Sequence, residues 1–132
     1  MRQLLYIIAL FAGTLVQAQD MLEQEHWPNG KLKHTIYAEG DLVRFVTYFE
    51  SGRVHEMGAF RHGKRDGAWK QYAEDGTLLA RARFLKGVRQ GDWHFNQPGQ
   101  QTTGRLRYKD GRLVEAEQRG PEGGIIARRT YP

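Results

Sequence analysis

Glycines at positions 30, 52, 76, 99 and 123 recur at intervals of 22, 24, 23 and 24 residues, and aromatic residues travel with them. A short unit that returns at a fixed period builds a repeat protein, because one unit of this size cannot bury its apolar face without a neighbour stacked on it. Phe60, Phe84 and Tyr108 keep a 24-residue step, as do Gly63, Gly87 and Gly111, and Phe45, Trp69 and Trp93. Two aromatic and two glycine columns sharing one period constrain the architecture more tightly than any other feature of the chain.

Each unit holds two short stretches rich in aromatic and β-branched residues, separated by Asn29-Gly30, Glu39-Gly40, Asp75-Gly76, Lys86-Gly87 or Asp110-Gly111. Such stretches are expected to form strands, and such dipeptides hairpin turns, where glycine takes the positive φ that the turn demands. A single hairpin is marginal in water. The expected fold is therefore all-β, an elongated antiparallel meander of β-hairpin repeats over residues 27–132, with little helix. Val54, Glu56, Gly58 and Phe60, then Leu78, Ala80, Ala82 and Phe84, fall on one face; Arg53, His55, Arg61, Arg81 and Arg83 fall on the other. That alternation predicts one packed and one wet face. Residues 19–26 read as an N-terminal linker with room for a turn or two of helix. The last unit reads as degenerate, since Glu117 and Arg119 stand where the period would place counterparts of Trp93 and Phe95.

Residues 1–18 read as a helical signal peptide. Arg2 supplies the positive n-region, Leu4 to Ala12 an apolar h-region, and Val16-Gln17-Ala18 the small residues that a signal peptidase reads. A membrane anchor would need about 20 apolar residues, and Gln17, Gln19 and Asp20 end the run too early. Cleavage after Ala18 would give a periplasmic or secreted product with no transmembrane segment. There is no cysteine, so neither a disulfide nor a lipidated cysteine anchor is available, and the product is expected not to be a lipoprotein.

Removing residues 1–18 takes away Arg2 and no acid, so the formal charge falls from +5 to +4. A basic surface favours anionic partners; export argues against nucleic acid as the natural one. Catalytic chemistry is poorly served. Ser51 is the one serine and sits in an expected turn, the histidines at 26, 34, 55, 62 and 94 lack metal-ligand spacing, and Glu115 and Glu117 share a strand face with no apolar pocket in view. The expectation is a protein that is not an enzyme and needs no metal or other cofactor.

The phrase Gly63-Lys64-Arg65-Asp66-Gly67-Ala68-Trp69-Lys70-Gln71-Tyr72, continuing through Asp75-Gly76 and weakly copied from Gly87 to Gly99, resembles the MORN (membrane occupation and recognition nexus) repeat in its bacterial variant. The likeness covers about residues 27–111. It implies a gently curved β-meander used as a scaffold or binding surface; bacterial relatives are often described as antitoxin-like, a role at odds with an export signal. Three functions follow as expectations: first a scaffold for an envelope protein or anionic polymer, then a cell-wall or glycan-binding module with exposed rings, and last an antitoxin-like partner that neutralises a toxin before or during export. The candidate binding surface comprises Trp69, Tyr72, Trp93 and Phe95 with the basic residues Lys64, Arg65 and Arg89.

Overall fold

A computed structural model describes residues 19–132; the expected signal peptide lies outside the described residues. The described residues form twelve strands: β1 (Gln19–His26), β2 (Leu32–Glu39), β3 (Leu42–Tyr48), β4 (Val54–Arg61), β5 (Lys64–Arg65), β6 (Gly67–Tyr72), β7 (Leu78–Leu85), β8 (Val88–Arg89), β9 (Gly91–Gln97), β10 (Thr102–Lys109), β11 (Arg112–Arg119) and β12 (Ile125–Thr130). They make one open antiparallel sheet in chain order, with β1 and β12 at its two ends. β5 runs into β6, and β8 into β9, through a one-residue interruption. There the amide of Asp66 donates to Ala59 O at 3.0 Å and that of Gln90 to Arg83 O at 3.0 Å. No helix among the described residues is long and apolar enough to cross a membrane.

Two kinds of turn alternate along the edges. On one side His62-Gly63, Lys86-Gly87 and Asp110-Gly111 all have positive φ, from 49° to 82°. This is the two-residue turn whose twist matches that of the strands. On the other side the amides of Trp27, Phe49, Ala73 and Gly120 donate to the carbonyls of Lys31, Arg53, Thr77 and Gly124, and the left-handed position falls on Gly30, Gly52, Gly76 and Gly123. Asn29 Oδ1 and Asp75 Oδ1 accept the amides of Lys31 and Thr77 at 2.9 and 2.8 Å, fixing this turn from within. The same bonds to Thr77 hold the Asp75 carboxyl below its usual pKa.

The fourth rung departs from this pattern. Gly99 lies in a short 3-10 turn, Pro98–Gln100, and the left-handed residue is Gln101 at φ 53°. A side chain in that conformation costs about 1–2 kcal/mol, so Gln101→Gly is expected to raise stability by about 1 kcal/mol in urea denaturation. No gain would mean that the surrounding loop already relieves the strain.

Residues 19–26 are a strand rather than a linker. Their pattern is not apolar, and the strand is held by what it meets on β2: Glu23 and Glu25 flank His34 at 2.8 and 3.2 Å, and Glu25 pairs with Lys33 at 3.6 Å. The expected contrast of faces also needs correction. Val46 and Ala59 are buried on the face opposite the rings, as is Thr35, so the N-terminal half of the sheet is covered on both sides.

Candidate functional site

The two aromatic columns merge into a single row. Starting at Phe45, ring centroids step to Trp69 at 5.0 Å, Phe84 at 5.7 Å, Trp93 at 5.2 Å and Tyr108 at 4.9 Å, with Phe60 set against both Phe45 and Trp69. The angles between successive rings, from 50° to 65° along the row, are the tilted and edge-to-face arrangements that aromatic quadrupoles favour. Register explains the merger. Trp69 stands opposite Ala82, and Trp93 opposite Leu106, while Phe84 and Tyr108 face Gly67 and Gly91, which leave room for the ring. Each indole is anchored by its own N–H: Trp69 donates to Ala59 O at 3.2 Å and Trp93 to Arg83 O at 3.1 Å.

Two arginines lie on this row at equivalent positions. The Arg65 guanidinium sits 5.1 Å from the Trp69 ring and 5.4 Å from Phe84; that of Arg89 sits 5.7 Å from Trp93 and 5.6 Å from Tyr108. Their backbones are fixed by the following unit, since the amides of Gly87 and Gly111 donate to the carbonyls of Arg65 and Arg89 at 2.8 and 3.0 Å. Both side chains are exposed. Among the described residues neither has a carboxylate within ion-pair distance. On the opposite face Arg44, Arg61, Arg105, Arg107, Arg119 and Arg128 are paired with acids, whereas Arg81 and Arg83 have no ion pair among the described residues.

Of the seven candidate residues, the structure gathers Trp69, Trp93, Phe95, Arg65 and Arg89 around one shallow groove of about 340 Å³, which Ala82, Phe84 and the acidic Glu56 also line. Tyr72 and Lys64 are not in its lining. Tyr72 follows a register shift at the far end of β6, and Lys64 lies along the turn edge, where its stem runs 3.5 Å from the point a side chain on Gly87 would occupy. Phe84 was visible in the period but reads from sequence as core. Its part in the groove comes from its position between the two tryptophans.

The degenerate unit has a different cause from the one its spacing suggests. In β4–β6 and β7–β9 the hairpin carries two extra residues at the interruption. In β10–β11 it carries one, between Arg107 and Tyr108. A one-residue slip turns every following side chain to the other face. Ala116, opposite Leu106, therefore takes the place that tryptophan holds in earlier units, and Glu117 swings to the other face beside Arg105. There its side chain is 1% exposed and meets Arg128 at 2.5 Å, Arg119 at 2.8 Å and Arg105 at 3.2 Å. Hydrogen bonds from Arg128, working against desolvation and helped by Arg119 and Arg105, lower its pKa to about 2. Glu115 shares the face and bonds Arg105 at 2.6 Å.

A second concavity, about 540 Å³, opens beside this cluster and is lined by Leu79, His94, Asn96, Thr103, Arg105, Glu117 and Arg119 among others. Its charged groups are already turned toward one another, which leaves little unsatisfied charge for a ligand. Ser51 lies in its turn with Oγ near the Arg53 amide at 3.4 Å, and His55 stacks on Phe49 at 4.3 Å. Among the described residues no group of three or more histidines and carboxylates is placed to hold a metal. No protein-family model matches the chain, and no characterised protein is significantly similar to it in sequence.

Proposed function

We propose that this protein is an exported, non-enzymatic repeat scaffold of the MORN type that binds an envelope protein or an anionic polymer through its aromatic face. One observation supports the reading above the rest: Arg65 and Arg89 stand exposed on the ring row without acidic partners among the described residues, each against two rings and one repeat apart. A guanidinium stacked on an aromatic plane keeps its edge N–H groups for a carboxylate or phosphate. The rings themselves are less suited to a cationic ligand such as a quaternary ammonium, because the protein's own arginines occupy the cation positions over Trp69, Phe84, Trp93 and Tyr108.

Immobilised wild-type protein is expected to retain a component of a detergent-solubilised envelope extract, and an Arg65→Gln/Arg89→Gln variant to lose it at low salt. Retention that is indifferent to both arginines would place the binding surface elsewhere.

A further inference from the structure

Arg65 and Arg89 are one repeat apart, and one repeat is two strands wide. Strands in a sheet lie about 4.8 Å apart, so the two guanidiniums present a pair of anion sites about 9.5 Å apart across the sheet. They share the same ring geometry and the same backbone clamp from the next unit's turn. The positions one step earlier and later are Asp41 and Leu113, so the pair is not extended. Ala82, Phe84, Trp69 and Trp93 line the same groove as an apolar floor running across the strands, and Glu56, Lys70 and Gln71 supply its polar lining.

Resting on the reading of this face as the binding surface, we infer that its ligand is a linear acidic polysaccharide carrying one carboxylate per disaccharide. A disaccharide spans about the interval between two anion sites set by two strand spacings, and the C–H faces of pyranose rings can lie on the apolar floor between them. Other anionic chains fit less well. A stacked nucleic acid strand carries a phosphate about every 3.4 Å, some three for each arginine. An extended peptide with an acid at every third residue matches the spacing at about 3.3 Å per residue. It would have to lay its backbone N–H and C=O groups across aromatic rings, far from either open sheet edge, where they find no partner.

Isothermal titration of the full exported chain at low salt tests the inference, with four probes of equal length. They are a hexasaccharide of alternating uronic acid and N-acetylhexosamine, the same sugar with its carboxylates reduced, an oligothymidylate and a poly-glutamate peptide. The acidic hexasaccharide is expected to bind and the reduced one not to. Arg65→Gln and Arg89→Gln should each weaken binding about tenfold, as loss of one charge-assisted contact does, Arg65→Lys less, and Arg81→Gln on the opposite face not at all. An unchanged circular dichroism spectrum establishes that each variant is folded. Equal binding of the reduced sugar, tighter binding of oligothymidylate or of a poly-glutamate peptide, or indifference to both arginines would overturn the inference. If the envelope component is still lost by the double variant while no acidic hexasaccharide binds, the face remains the binding surface and the polysaccharide is refuted. If neither responds, both readings fall.

Discussion

Gly58→Leu is expected to destabilise the sheet by about 3 kcal/mol, the upper end for overpacking a filled site. Gly58 has no unusual φ; what demands glycine there is space. A Cβ at this position would lie 2.6 and 2.7 Å from Trp69 Cδ2 and Cε2 and 2.9 Å from Phe45 Cε1. Trp69 is the ring on which Phe45, Phe60, Phe84 and Arg65 converge, so displacing it disturbs the whole N-terminal half of the row. The next unit places Ala82 at the equivalent site between Trp69 and Trp93, which shows that the row can be spaced for one methyl group. Gly58→Ala adds the clashing Cβ alone and should cost less than leucine, about 2 kcal/mol. Urea denaturation followed by tryptophan fluorescence gives both numbers. A leucine variant as stable as wild type would mean that the rings are not packed against this strand.

The second large effect concerns Glu117. Its replacement by alanine leaves Arg105, Arg119 and Arg128 facing one another with their common acceptor removed, and breaking a buried pair on one side is far more damaging than replacing both partners. The melting temperature is expected to fall by more for Glu117→Ala than for any single arginine variant of the cluster. A pH signature accompanies it. The folded pKa, about 2, is below the ordinary value of 4.5, so the folded state binds this proton less readily than the unfolded chain. The resulting stability is complete above about pH 4.5 and is lost as pH falls toward 2. Wild type should thus lose stability over that interval, and Glu117→Gln, which cannot titrate, should show a shallower acid limb. Parallel acid limbs in the two proteins would contradict the assignment.

The period made the hairpins, both turn edges and the aromatic columns legible, because each depends on residue type at a fixed interval. Three things did not follow from it. Glu117 stands 24 residues after Trp93, yet one residue fewer in the β10–β11 irregularity sends it to the other face; a count along the chain cannot register a bulge one residue shorter. Gly99 keeps the glycine step but not the turn, since β9 runs one residue further than β6 and moves the left-handed position on to Gln101. β1 has no strand-like apolar alternation, and its side-chain pairing comes from Glu23 and Glu25, which meet the His34 ring, and from Glu25 against Lys33. The signal available was the two-residue spacing of those acids.

The candidate surface was partly legible for the same reason. Arg65 and Arg89 share the step of the tryptophans, so rings and cations had to repeat together on the sheet. What spacing could not give was which arginines are neutralised. Pairing depends on cross-strand neighbours: Arg65 and Arg89 meet aromatic planes, Arg105, Arg107 and Arg128 meet carboxylates, and Arg81 and Arg83 have no ion pair among the described residues.

Whether the ring face around Arg65 and Arg89 is the binding surface is decided by two-dimensional NMR of the labelled full chain while the acidic hexasaccharide or the retained envelope component is added. The account predicts shifts at the indole N–H signals of Trp69 and Trp93 and at the guanidinium Nε–H signals of Arg65 and Arg89, with Arg105 and Arg128 unmoved. Shifts confined to the Glu117 cluster or to the edge strands β1 and β12 would contradict it.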